Sequence, residues 1–189
     1  MKIAIFGDSF GAKKDDDPFP SWVNLLGTRY HVDNYCQCGV SEYKILQQVK
    51  NTNLTLYDQI IITHTSPYRV FVKHHPVHTD SLYHTNCDIL FTDIESRNDE
   101  FSVACKLYFK HIFDESYACD IHNLICFEIE KQVPNKTIHV THFDYSGLYS
   151  FNNSLINFYS TWKKHKGTVN HYNEKGNQYI FNKLVSILS

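Results

Sequence analysis

Ser9 stands directly behind a short apolar run, Ile3-Ala4-Ile5-Phe6, in the order Gly7-Asp8-Ser9. An apolar run of this length that meets a glycine reads as a buried strand ending at Gly7. A serine just past the carboxyl end of such a strand sits where open α/β sheets bind ligands. The chemistry open to it is nucleophilic, because a hydroxyl attacks an acyl carbon once a base removes its proton. The plainer reading of the tripeptide is a turn with no chemistry.

The other end of the chain carries Asn170-His171-Tyr172-Asn173-Glu174-Lys175-Gly176-Asn177, ahead of a last helical run. Taken with Gly-Asp-Ser at the start, this block resembles the SGNH (GDSL) hydrolase family. The resemblance covers both ends and fades over roughly residues 70–135. It implies Ser9 as nucleophile, with Asp8 beside it, and His171 as base. An imidazole titrates near 6.5, so it is largely neutral and competent at neutral pH.

The resemblance also implies an oxyanion hole. Its donors would be the Ser9 N–H, the Gly39 N–H in Cys38-Gly39-Val40-Ser41, and a side chain after the third strand. Glycine lets backbone approach a ligand and turn where other residues are barred; a simple turn glycine is the other reading. The family has Gly-x-Asn-Asp after that strand, where this chain has His64-Thr65-Ser66-Pro67-Tyr68-Arg69. Ser66 falls on the asparagine position, and a hydroxyl can still donate one hydrogen bond. One such donor is typically worth about 3 kcal/mol. Arg69 could bind a substrate carboxylate or phosphate, or hold a loop.

The family's aspartate, three residues before the histidine, falls on Thr168, which has no charge to give an imidazolium. Three outcomes follow. Thr168 orients His171 through its carbonyl or hydroxyl, or Asp144 from the neighbouring strand end substitutes, or the activity is weak or lost.

These residues need a frame. Buried runs at residues 3–6 and 58–63, a strand through Tyr30, Val32 and Tyr35, and another over Lys136–His142 alternate with helical patterns. A fifth strand is expected near Asp88–Thr92. Ser21 reads as the cap of a helix with Trp22, Leu25 and Leu26 on one side. Ser41 reads as a second cap. Three- and four-residue spacings give inner faces of Phe101, Ala104, Cys105, Tyr108 and Ile112, then of Tyr117, Ile121, Leu124 and Ile125. Phe158, Tyr159 and Trp162 suggest a short helix. A last helix from about Glu174 to Ile187 turns Tyr179, Ile180, Leu184, Val185 and Leu188 inward. The order predicts a three-layer α/β/α sandwich around a mostly parallel sheet of four to five strands, flavodoxin-like as in SGNH hydrolases.

The 189 residues suit one domain, 1–189, with a polar, histidine-rich insertion at about 70–100. That stretch (His74, His75, His78 and His84 near Asp80 and Cys87) fits no standard zinc spacing and reads as a lid beside the site. Asp15, Asp16 and Asp17 read as solvated loop. No metal or cofactor is expected. A net charge of −2 without a basic stripe speaks against nucleic acid. No run is long enough to span a membrane and no export signal is visible. Six cysteines without C-x-x-C pairs then fit free thiols in a reducing cytoplasm.

The expected activity is hydrolysis of a small-molecule or carbohydrate acyl ester, as an esterase, O-deacetylase or lipase-like enzyme. The alternatives are a binding module that keeps the scaffold without the chemistry, and a flavodoxin-like nucleotide or phosphate binder. The last lacks a glycine-rich phosphate cradle in the first turn.

Overall fold

Ile3, Ala4, Ile5 and Phe6 are completely buried, as a central parallel strand covered on both faces requires. The computed structural model describes residues 1–12, 19–72, 75, 87–144, 147–152, 155–167 and 171–189. Five strands, β1 (Lys2–Gly7), β2 (His31–Asn34), β3 (Gln59–His64), β4 (Ile138–Thr141) and β5 (Leu155–Asn157), form one sheet in the order β2-β1-β3-β4-β5. Every pairing in it is parallel.

The helices are α1 (Trp22–Gly27), α2 (Glu42–Lys50), α3 (Phe91–Ile94), α4 (Glu100–His111), α5 (Glu115–Gln132), α6 (Tyr159–Lys164) and α7 (Glu174–Leu188). Side chains alternate across a strand, so β1 feeds two cores. Ile3 and Ile5 join Trp22, Leu26, Ile180 and Leu184 from α1 and α7. Ala4 and Phe6 join Ile45, Val49 and Ile129 from α2 and α5. The result is the three-layer α/β/α sandwich expected, with a sheet that is wholly parallel.

The fifth strand lies elsewhere than the sequence indicates. Residues 88–92 contribute an isolated antiparallel bridge, Val70 to Ile89, and the first turn of α3. The sheet's edge is Leu155–Asn157, a three-residue segment too short for an alternation signal. The inner face assigned to α4 is also corrected, and that of α5 in part, since Ile125 does pack against the core. Phe101, Tyr108, Ile112, Tyr117 and Leu124 are exposed, while α5 buries His122, Cys126 and Ile129. Among the described elements α4 packs chiefly on α3, away from the sheet. In α7, Ile180 and Leu184 are buried but Tyr179 is exposed.

Ser21 caps α1 as expected. Its hydroxyl accepts the Asn24 N–H, and its own N–H donates to Asn24 Oδ1. Trp22 then ties this helix to the chain behind Ser9. Its indole N–H donates to the Phe10 carbonyl at 2.7 Å, and its backbone N–H donates to Asn177 Oδ1 of α7 at 3.0 Å. Trp22→Phe keeps most of the apolar volume and removes one donor from a buried carbonyl. A loss of about 1–3 kcal/mol is expected in urea denaturation. An unchanged midpoint would show that this bond holds nothing.

Candidate active site

Gly7 has φ +146°, and a Cβ there would lie 2.1 Å from Thr63 Cγ2 and 2.4 Å from the Thr63 carbonyl oxygen. Only glycine lets β1 end this close to β3. Gln48 of α2 brackets the same residue, accepting the Gly7 N–H at 2.9 Å and donating to the Gly7 carbonyl at 3.3 Å. The chain then coils, with the N–H groups of Gly11 and Ala12 both donating to the Asp8 carbonyl. Asp8 turns inward and its Oδ1 accepts the Phe10 N–H at 3.0 Å. Ser9, half-buried, is left at the rim. β1 lies between β2 and β3, so the chain departs to opposite sides from neighbouring strand ends. That reversal opens a crevice at the carboxyl edge, and Ser9 stands at it.

Gly39 lies beyond β2 on the same edge. Its φ is +69°, and a Cβ would meet Cys87 Sγ at 2.6 Å. The residues behind it form a clamp. Asp88 N–H donates to the Gly39 carbonyl at 2.8 Å, and Cys87 Sγ–H donates to the Cys38 carbonyl. The Asp88 carboxylate, fully buried, accepts the Ser41 N–H at 2.7 Å and the Val72 N–H at 2.9 Å, and pairs with Lys44 Nζ at 2.8 Å. Ser41 does precede α2, but its hydroxyl makes no capping bond. Arg69 holds the loop, the second of its two sequence readings. Its Nη1 donates to the carbonyls of Gly39 and Asp88.

Ser66 is half-buried past the end of β3 and its hydroxyl accepts the Tyr68 N–H at 3.3 Å, which leaves its own proton to donate. Beyond it, a groove of about 680 Å³ is lined by Tyr68, Leu90, Phe91, Phe109 and Phe113, among others. The His171 ring lies 5.4 Å from that of Phe10, the residue after Ser9. Asp144 is exposed just beyond β4. Thr168 lies outside the described residues, as do His74, His78, Asp80, His84 and the carboxylates at 15–17. Of the histidine-rich stretch, His75 and Cys87 are described, and both are buried.

The sequence reading passed over His142. It is buried after β4, stacked on Phe10 at 4.4 Å, with Nδ1 2.7 Å from the Tyr172 hydroxyl. That hydroxyl also lies 3.2 Å from the Phe158 carbonyl; when it donates there, Nδ1 carries the imidazole proton and Nε2 is the acceptor. Nε2 is buried and has no hydrogen-bond partner among the described residues. Burial, then repulsion from neighbouring His171, pushes His142 down to about 3, so it is neutral at ordinary pH. A histidine closing a buried strand is the signal that could have marked it. Burial likewise pushes Asp8 up to about 7, against the pull of the Phe10 N–H and the Arg69 charge.

Comparison with protein-family models, curated proteins and solved structures returned no match.

Two outcomes test this geometry. Gly39→Ala must strain the backbone and displace Cys87, so a loss of about 1–3 kcal/mol is expected in thermal or urea unfolding. A fully stable alanine variant would contradict the clamp. For Asp8, the folded chain binds the proton more tightly than the unfolded chain does. Its contribution to stability is therefore complete below the ordinary value of 3.8 and is lost as pH rises towards about 7. Asp8→Asn has no such loss, so the variant should gain on the parent steadily between those limits. Parallel stability curves would rule the shift out.

Proposed function

We propose that the protein is a serine acyl hydrolase in which Ser9 attacks the acyl carbon and His171 takes its proton. The single observation that carries the reading is that the Ser9 turn, the clamped Gly39 loop and Ser66 follow three adjacent parallel strands at one carboxyl edge, with the His171 ring 5.4 Å from that of Phe10, the residue after Ser9. The sequence resemblance to SGNH hydrolases points the same way.

The chemistry runs in two halves. Attack forms a tetrahedral oxyanion, which the Ser9 and Gly39 N–H groups and the Ser66 hydroxyl are suited to receive. His171 returns its proton to the leaving alcohol, and water then releases the acyl group by the same route. His142, which neighbours His171, and Asp144, just beyond the same strand, are the candidates to orient the imidazole. A neutral His142 accepts a hydrogen bond through Nε2 but supplies no negative charge, so this arrangement predicts a slower enzyme than one with a buried aspartate. The groove beginning at Tyr68, which hydrogen-bonds Ser66, suits an apolar acyl portion.

A fluorophosphonate probe and a graded series of p-nitrophenyl esters test the proposal. Labelling at Ser9 is expected. Ser9→Ala and His171→Ala should each lower kcat by at least about 10³-fold with the fold retained. His142→Phe should cost more than Asp144→Asn if the buried ring orients the base, and the reverse ranking makes Asp144 the partner. Undiminished turnover in Ser9→Ala, or background hydrolysis in the parent, would leave the non-catalytic binding module as the better reading.

A further inference from the structure

A second polar cluster lies on the other face of the sheet, under α2 and α5. Glu42, the first residue of α2, is buried together with His64 at the end of β3, His122 and Cys126 on α5, and His139 on β4. His122 and Cys126 are one helical turn apart and share a face. One carboxylate oxygen of Glu42, one ring nitrogen of His122 and the Cys126 sulfur all lie within 4.8 Å of one another. His64 Nδ1 lies beside this trio, 2.7 Å from Glu42 Oε1 and 3.9 Å from Cys126 Sγ. His122 Nδ1 is 3.6 Å from the same sulfur.

We propose that Glu42, His64, His122 and Cys126 form a buried site for a divalent transition-metal ion, with zinc the best match to the donor set. In a tetrahedral zinc site, sulfur and nitrogen ligands stand roughly 3.5 Å apart, given bond lengths of about 2.3 and 2.0 Å. The two sulfur–nitrogen distances, 3.6 and 3.9 Å, are already close to this. The Glu42–His64 contact is a hydrogen bond at 2.7 Å and opens by about half an ångström on loading.

The surrounding groups match what ligating side chains require. A metal-bound histidine hands its second ring N–H to a carbonyl or another acceptor, which fixes the tautomer. His122 Nε2 faces the Thr65 carbonyl at 3.0 Å and Glu42 Oε2 at 3.2 Å, so the proton sits there and the Nδ1 lone pair turns to the sulfur. His64 Nε2 lies 2.9 Å from His139 Nδ1, and the His139 ring is stacked on Phe151 at 4.0 Å. Glu42 Oε2 accepts the Thr65 N–H at 3.1 Å. Charge also balances: a carboxylate and a thiolate cancel a divalent cation, which a low-dielectric core demands. Cys126 binds as the thiolate, so its proton leaves to solvent on loading. All four donors are protein groups, buried together, which makes the site structural and its role the fastening of α5 to the end of β3.

The test is metal analysis of the full-length protein, purified without chelator or affinity metal, and cobalt(II) reconstitution after chelator treatment. Stoichiometric zinc is expected, with an intense thiolate-to-cobalt charge-transfer band and the d–d absorption of a tetrahedral ion. Cys126→Ser should remove the charge-transfer band, and His122→Ala should weaken binding at least tenfold. A parent protein that binds neither ion overturns the proposal and leaves a proton-linked polar core. A band that survives in Cys126→Ser puts the metal on other ligands and overturns it equally. Should either variant fail to fold, the parent's cobalt spectrum still decides, because absence of a thiolate band there excludes Cys126. The reading of Ser9 as nucleophile stands or falls separately, since probe labelling does not require this site.

Discussion

One buried carboxylate holds the middle of this molecule together. Glu42 lies at the amino end of α2 and receives the Thr65 N–H, His64 and His122. Burial alone would push its carboxyl up, but its close contacts with His64 and His122 outweigh that and hold it well below the usual carboxylate range. A charge this deep is tolerated only when every lone pair finds a partner. The partners come from α2, β3 and α5, so satisfying one side chain fixes how three elements meet. The next residue along, Ser66, begins the rim of the crevice. The place of that rim is set by polar contacts behind the sheet as much as by the apolar core.

The opposite wall obeys the same rule by other means. Asp88 reaches Lys44 and two backbone N–H groups, and through them it fastens the stretch 87–89 beneath the Gly39 loop. A Cβ on Gly39 would run into Cys87, so glycine there answers both to the backbone's positive φ and to the clamp. Asp8 is less fully compensated. It feels the Arg69 charge, yet burial dominates and raises its carboxyl. Asp8, Glu42 and Asp88 thus show three solutions to one desolvation problem, and the least satisfied of them adjoins Ser9. Strand ends in α/β sheets tend to concentrate such tension, because side chains converge there without a helix to cover them.

The helices beyond the sheet follow a looser logic. α4 carries exposed Phe101, Val103, Leu107 and Ile112, and α5 exposes Tyr117, Leu124 and Phe127 while burying His122 and Cys126. Periodicity reveals that a helix has an apolar stripe, but it does not say which layer the stripe meets. On α5 the sheet-facing side is the one that reaches Glu42 and His64, so His122 and Cys126 are buried beside Ile129 while Tyr117, Leu124 and Phe127 turn out. Among the described residues no helix is long and apolar enough to cross a membrane.

The sequence by itself determined the strand that ends at Gly7, a strand over residues 58–63, the capped helix at Ser21, the last helix from about Glu174, and the alternation that makes the sheet parallel. Each of these is encoded within a window of some ten residues, where apolar runs, caps and turn glycines act locally. It also offered Ser9 and Gly39 as candidates in short motifs at strand ends, and His171 in the block ahead of the last helix. The tertiary structure alone decided the edge strand Leu155–Asn157, the outward stripes of α4 and α5, the stacking of His142 on Phe10, and the meeting of Glu42, His64, His122, Cys126 and His139. The last five come from two helices and two strands, far apart in the chain, and no local pattern joins them. Their contact is a product of strand order and helix placement, and a buried charge needs partners in space, wherever in the sequence they arise.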